Sequence, residues 1–105
     1  MAVHEVGPHE VALHLCGYTV VDVREAHELT GELGRIAQAR HVPLATVEAA
    51  AAAWPRADRL LVVCRSGARS GRAAAALLGM GFTDVTNLTG GMLAWNAAGL
   101  PVVQS

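Results

Sequence analysis

Short apolar segments alternate with helix-like segments along this chain of 105 residues. The clearest are RLLVV at 59–63 and TVVDV at 19–23, whose β-branched and apolar residues are typical of buried strands. Strands that alternate with helices predict a parallel sheet with helices on both faces, because parallel strands need long crossover connections. We therefore expect an α/β fold with a single domain over residues 1–105.

Three further segments complete the predicted sheet: HEV at 4–6, RHVPL at 40–44 and DVTNL at 84–88. Five helices are predicted, one after each strand, over 8–17, 25–31, 46–55, 71–80 and 89–99. Thr46 is the expected N-cap of the third helix and Ser70 that of the fourth, which Gly81 would end.

One cysteine follows a predicted strand directly and is surrounded by arginine. Cys64 comes after the segment 59–63, and Arg65, Arg69 and Arg72 follow within eight positions. All eight basic residues of the chain are arginine, and the formal net charge is -1, so positive charge is concentrated in this segment. Binding sites in parallel sheets form at the carboxyl ends of strands, and the segment 22–25 is expected at the same edge as Cys64.

The segment from Cys64 to Ser70 is expected to turn sharply from a strand into a helix. Backbone N–H groups in such a turn, together with the helix N-terminus, form an anion cradle. Arginine supplies forked donors that suit oxyanions, and small residues allow close approach of the backbone. The cradle residues predicted from this spacing are Arg65, Ser66, Gly67, Ala68, Arg69 and Ser70.

A thiol inside such a cradle should have a lowered pKa, which would make Cys64 a nucleophile that needs no histidine base. The alternative is a buried core cysteine at a strand end. Arg72, one turn into the helix, is interpreted as a solvated charge, and Cys16 as a structural residue.

Composition excludes several other classes of function. Two cysteines are too few for a disulfide framework, and no secretory signal or long apolar segment is visible, so a reduced cytoplasmic protein is expected. The slightly negative net charge gives no reason to expect binding to nucleic acid or to an anionic membrane. The histidine spacing does not suggest a metal site, and no cofactor is expected.

Three motifs together resemble those of single-domain rhodaneses, which are sulfurtransferases. They are DVRE at 22–25, CRSGARS at 64–70 and GGMLAWNAAGLPV at 90–102, in the order that the family shows. The segment 34–43 departs from the family pattern, because Arg35 stands where a histidine is usual and Gln38 where a glycine is usual. Arg35 could therefore alter the rim of the site or a surface for partners.

The resemblance implies a rhodanese-like three-layer sandwich with a mostly parallel five-stranded sheet. It implies that the Cys64 thiolate takes the outer sulfur of thiosulfate, or of a persulfide donor, and passes it to cyanide, a thiol or an acceptor protein. Asp22 and Arg24 would organise the neighbouring loop, and Trp95 would pack the last helix beneath the site.

Two other functions stay open. One is a sulfur-relay or binding module that turns over no small molecule. The other is a cysteine phosphatase or arsenate reductase of the same fold, but those enzymes use a Cys-x5-Arg loop, whereas Cys64 and Arg69 have a Cys-x4-Arg spacing. The shorter spacing favours a cradle for one sulfur atom.

Overall fold

The sheet lies at the centre of a computed structural model that describes residues 2–104. The strands are β1 (His4–Val6), β2 (Thr19–Asp22), β3 (Arg40–His41), β4 (Arg59–Val63) and β5 (Asp84–Leu88). Their order in the sheet is β1-β5-β4-β2-β3, and all four strand pairs are parallel. The predicted five-stranded parallel sheet is thus confirmed.

Helices cover both faces of the sheet, which confirms the three-layer arrangement. The helices are α1 (Pro8–Leu13), α2 (Ala26–Leu29), α3 (Val47–Ala51), α4 (Ala68–Gly79) and α5 (Gly91–Ala97). α3 and α4 pack on one face with Leu60 and Val62 of β4, and α1 and α5 pack on the other with Leu61 and Val63. Because residues 60–63 of β4 are buried on both faces, this part of the strand is continuously apolar rather than alternating.

Two predicted elements are shorter than their sequence patterns suggested. The helix expected over 46–55 spans only Val47–Ala51. Thr46 occupies the predicted N-cap position, but its hydroxyl donates to the Pro43 carbonyl at 3.0 Å and makes no capping hydrogen bond to the helix. At the end of the helix, the Ala51 carbonyl accepts hydrogen bonds from the Trp54 amide and from the Arg56 guanidinium. β3 spans only two residues, because the chain enters a 3-10 turn just after Pro43.

The start of α4 also differs from the prediction. The helix begins at Ala68 with Gly67 as its N-cap, so the prediction of Ser70 as the cap is wrong. Gly67 can take this position because its φ of 103° lies in the left-handed region that glycine tolerates. Ser70 therefore lies inside the first turn, where its side chain is available for another role. The prediction that Gly81 follows the end of this helix is confirmed, with Met80 as the C-cap.

No helix formed by residues 2–104 is long and apolar enough to cross a membrane.

Candidate active site

Cys64 lies at the carboxyl edge of the sheet, one residue beyond β4. It is fully buried, and its thiol is free. Asp22, at the end of the neighbouring strand β2, lies at the same edge because the register pairs it with Val63. The parallel topology thus brings together the two segments that were expected to meet there.

Two donors from the predicted cradle reach the sulfur of Cys64. The Gly67 amide donates to Sγ at 3.0 Å, and the Ser70 hydroxyl lies 3.2 Å from Sγ. The left-handed turn at Gly67 and the early start of α4 direct both groups towards the thiol. The buried sulfur is therefore held by polar groups instead of being packed only against apolar side chains.

Opposing effects act on the pKa of the Cys64 thiol. Burial raises the pKa, whereas hydrogen bonds from the Ser70 hydroxyl and from the amides of Ser70, Gly67 and Ser66 lower it, and the net direction is down. The sequence pattern pointed to the arginines and the helix end as well as to the amides. It did not reveal the Ser70 hydroxyl as a donor.

The Arg69 guanidinium is engaged by a carboxylate from α2. Its two terminal nitrogens donate to Glu28 at 2.7 and 2.8 Å. The hydrogen bond from Arg69 lowers the pKa of Glu28 to about 2, and the same bond raises the pKa of Arg69, with a smaller contribution from Cys64. Part of the positive charge expected in the cradle is therefore offset by Glu28.

Arg65 is the more accessible cation of the loop. It is exposed, and within residues 2–104 its side chain has no hydrogen-bond or ion-pair partner. It lines a groove of about 410 Å³ together with Arg24, His27, Glu28 and Leu93, among others. Arg72 is also exposed, one turn further along α4.

Asp22 and Arg24 form a buried ion pair beside the cradle. The Arg24 Nη2 donates to Asp22 Oδ2 at 2.8 Å and to the Gly34 carbonyl at 2.8 Å, while Nη1 donates to the Glu28 carbonyl at 3.3 Å. His41 contacts the Arg24 carbonyl through Nε2 at 2.7 Å. The DVRE segment thus connects β2 to α2, which carries Glu28, and to the loop at Gly34.

The N-terminus of α5 packs against the cysteine loop and donates hydrogen bonds to it. The Met92 and Leu93 amides donate to the carbonyls of Cys64 and Arg65 at 2.9 and 3.0 Å. A Cβ on Gly91 would lie 2.5 Å from the Cys64 carbonyl oxygen, so only glycine permits this approach. The second glycine of the GGMLAW motif therefore holds α5 against the loop.

Three other residues singled out in the sequence lie outside the groove. Trp95 is buried in the core, and its Nε1 donates to the Pro101 carbonyl at 2.9 Å. Arg35 forms a backbone bridge with Val103 and is absent from the groove lining. Cys16 is exposed.

Sequence reasoning missed two residues that contact the cradle, Glu28 and Asn87. Asn87 is buried in β5, and its side-chain Oδ1 bonds the Ser70 hydroxyl. Buried polar side chains require hydrogen-bond partners, so an asparagine in the apolar strand DVTNL was the available signal. Glu28 gave no signal of this kind, because a glutamate in a polar helix is ordinary.

Among residues 2–104, no three His, Cys, Asp or Glu side chains cluster in a way that could hold a metal ion.

Known proteins resemble this chain in both sequence and structure. The Rhodanese-like domain profile matches residues 8–98. A sulfurtransferase from Allochromatium vinosum is 37% identical over 84 residues, which are 80% of this chain and 77% of that protein. Thiosulfate sulfurtransferase GlpE from Pseudomonas putida is 40% identical over 97 residues, covering 86% of this chain and 83% of GlpE. The crystal structure of a rhodanese-related protein from Thermoplasma volcanium matches with a TM-score of 0.87 and 29% identity, over 97% of this chain and 99% of that one.

Proposed function

This chain belongs to the rhodanese-like domain family, and we propose that it moves a sulfane sulfur from thiosulfate or a persulfide donor through a persulfide on Cys64. The observation that carries the proposal is the pair of donors on a buried sulfur, the Gly67 amide at 3.0 Å and the Ser70 hydroxyl at 3.2 Å. These groups stabilise a thiolate, which is the nucleophilic form of cysteine.

The reaction has two steps in which the sulfur atoms and charges balance. In the first, the Cys64 thiolate attacks the outer sulfur of thiosulfate, an S–S bond forms to Sγ, and sulfite leaves with the electron pair of the broken S–S bond. In the second, cyanide or a thiolate attacks the terminal sulfur of the persulfide and releases the Cys64 thiolate. Neither step needs a cofactor or an external oxidant.

The charged residues would have different roles in this reaction. Arg65 is exposed and has no partner among residues 2–104, so its guanidinium would bind the sulfonate group of an anionic sulfur donor. The positive charge of Arg69 would add to the electrostatic potential at the cradle, while its ion pair with Glu28 fixes the position of α2. Asp22 and Arg24 would hold the adjoining loop through their buried ion pair.

The cradle residues Ser66, Gly67, Ala68 and Ser70 would surround the terminal sulfur of the persulfide. A sulfur relay to a partner protein would use the same chemistry, with a protein thiol as the acceptor. The phosphatase alternative is disfavoured because the Cys-x4-Arg spacing makes the smaller cradle. A reducing cytoplasm would suit an enzyme whose reactive form is a free thiol.

Intact-mass analysis after incubation with thiosulfate tests the proposal. We expect the mass of one added sulfur, removed by cyanide with release of thiocyanate. The variant Cys64→Ser should show no adduct, whereas Cys16→Ser should show the same adduct as the unchanged protein, because Cys16 lies outside the cradle.

Two results would contradict the proposal. Absence of the adduct together with hydrolysis of a phosphate ester would favour the phosphatase alternative. Absence of both the adduct and any turnover would leave a binding module.

A further inference from the structure

A chain of hydrogen bonds behind Cys64 leads away from the cradle to the edge of the sheet. The Ser70 hydroxyl contacts Cys64 Sγ on one side and Asn87 Oδ1 on the other. Asn87 Nδ2 in turn lies 3.0 and 3.1 Å from the two Glu5 carboxylate oxygens. The chain therefore joins α4, β5 and β1 behind the sulfur.

The orientation of the Asn87 amide is fixed by its partners. Its Nδ2 group faces only acceptors, the Glu5 carboxylate and the Gly67 carbonyl at 3.1 Å. A flipped amide would place Oδ1 against these acceptors and leave them without a donor. Oδ1 is therefore the atom that faces Ser70, and it can only accept a hydrogen bond.

Ser70 has one hydroxyl proton for two acceptors. When Sγ is a thiolate, the proton is drawn to sulfur, because hydrogen bonds to charged acceptors are the stronger ones. Asn87 Oδ1 then faces a lone pair of the hydroxyl. When Sγ carries a second sulfur, the negative charge moves to the terminal atom and the proton is free to turn to Oδ1. The same holds when Sγ is protonated.

We propose that Asn87 is a positioning residue whose Oδ1 accepts the hydrogen bond of the Ser70 hydroxyl whenever Cys64 Sγ is uncharged. It thereby stabilises the persulfide and the thiol relative to the free thiolate. In this way the side chain on β5 favours retention of the transferred sulfur without contacting it. The persulfide part of this inference rests on the proposed function, whereas the effect on the thiol does not.

Replacement of Asn87 by alanine tests the inference. Without Oδ1, the protein with a protonated Cys64 loses the hydrogen bond between Ser70 and Asn87. The protein with a Cys64 thiolate loses only the unfavourable contact between Oδ1 and a lone pair of the Ser70 hydroxyl. The pKa that governs alkylation of Cys64 by iodoacetamide should therefore fall by roughly half a unit to one unit. The protein would carry Cys16→Ser throughout, so that alkylation reports Cys64 alone.

The control for an indirect effect is the same replacement in a Ser70→Ala background. If Asn87 acts through the Ser70 hydroxyl, the fall in the alkylation pKa caused by Asn87→Ala should be clearly smaller there, because no hydroxyl proton remains to be shared and only the loss of the Nδ2 donor is left. Thr86→Val serves as a matched control on β5, since Thr86 is also buried but points to the opposite face. We expect this control to leave the alkylation pKa unchanged.

Replacing Asn87 also removes the hydrogen-bond donor of Glu5 on β1. Glu5 loses this donor in both the Ser70 and the Ser70→Ala background, so a comparison of the two shifts removes the effect. The charged groups near the loop that are the same in all variants come from the loop itself and from α4, α2, β2 and β3, and they are Arg65, Arg69, His27, Glu28, Asp22, Arg24 and His41.

A second readout follows the sulfur itself. At a fixed ratio of thiosulfate to sulfite, and at a pH where the unmodified Cys64 is a thiolate, Asn87→Ala should lower the ratio of persulfide to unmodified Cys64 roughly three- to tenfold, as measured by intact mass. If no persulfide forms in any variant, the proposed function fails while the alkylation result still decides the role of Asn87.

Asn87→Ser provides a second variant that removes Oδ1 but keeps a polar group in the buried space. An alkylation pKa that stays unchanged or rises in these variants would overturn the inference. An equal fall in the Ser70→Ala background would also overturn it. If both variants fail to fold while Thr86→Val folds, Asn87 is a structural residue and the inference is wrong.

Discussion

The pair between Arg69 and Glu28 sets how much positive charge the cradle offers and how firmly α2 is held beside it. Both carboxylate oxygens accept hydrogen bonds from the guanidinium, and both side chains are largely shielded from solvent. Partial burial makes such a bidentate pair stronger than an exposed ion pair, which contributes little.

Glu28→Gln should destabilise the protein at neutral pH by about 1 kcal/mol, a value reduced for the remaining solvent exposure. The pKa of Glu28 falls from 4.5 to about 2 on folding, so the ion pair contributes fully above pH 4.5 and is lost as the pH falls towards 2. The difference in unfolding free energy between the two proteins should shrink over that range. Denaturant unfolding at several pH values measures this difference.

The control for this prediction is Glu48→Gln, which replaces an exposed carboxylate on α3. A difference for Glu28→Gln that stays constant between pH 7 and pH 3 would contradict the prediction.

Single residues differ in how far the sequence foretells their roles. Gly67 and Cys64 could be placed from local spacing, because a turn from strand to helix is formed by consecutive residues. Glu28 is 41 positions away from Arg69 in the sequence, and Asn87 is 23 positions away from Cys64. No local sequence pattern encodes contacts over such separations. Ser70 was misassigned as a cap because capping and thiol binding use the same kind of side chain.

At the scale of elements, the contact between α5 and the cysteine loop depends on Gly91. Its φ is 57°, and an added Cβ would lie 2.5 to 2.6 Å from backbone atoms of Cys64 and Arg65. Backbone atoms cannot yield as a flexible side chain can, so the loop or the helix must shift if this glycine is replaced.

Gly91→Ala should lower the free energy of unfolding by about 2 kcal/mol or more, from left-handed strain and overpacking together. It should also slow sulfur loading of Cys64, because the Cys64 and Arg65 carbonyls bond to α5. Gly79→Ala is the matched control, since Gly79 lies in α4 with open space around its Cβ position. That replacement should be neutral or stabilising by up to about 1 kcal/mol. Equal effects of the two replacements on the free energy of unfolding would show that the backbone of the cysteine loop leaves room for a side chain at position 91.

Element boundaries show where local propensity gives way to tertiary contacts. The alanine-rich segment after Thr46 has high helix propensity, yet α3 ends at Ala51. Arg56 donates to the Ala51, Trp54 and Met80 carbonyls, so one side chain stabilises the turn and ties it to the end of α4. A pattern of propensities cannot anticipate a capping group that acts between two helices.

At the scale of the whole molecule, the parallel topology was predictable from the alternation of strands and helices, and it determines where the site lies. Strands β2 and β4 end side by side, so the polar residues that follow them lie at the same edge of the sheet. The position of β5 next to β4 brings Asn87 behind the same loop. Alternation along the chain does not specify the order of strands within the sheet, so this last juxtaposition could not be foreseen.

The overall charge of the molecule makes Arg65 the residue that should attract an anionic donor. The net charge is -1, so the long-range field does not favour thiosulfate, and attraction must come from local groups. Arg69 is offset by Glu28, whereas Arg65 lines the groove without a partner among residues 2–104. Arg65→Ala should therefore raise the KM for thiosulfate about fivefold, with a smaller change in kcat.

The dependence on salt separates this local attraction from a structural effect of the substitution. Raising the ionic strength to roughly 0.5 M should lower kcat/KM for the unchanged protein more than for Arg65→Ala, because screening acts on the charge that the variant lacks. Arg72→Ala removes an exposed charge from the same segment and should change the KM by less than about twofold. Steady-state thiocyanate formation measures all three proteins. Equal salt dependence for the unchanged protein and Arg65→Ala would show that Arg65 does not attract the anionic sulfur donor. The attraction would then come from another cation, and Arg69 is the other arginine of the cradle.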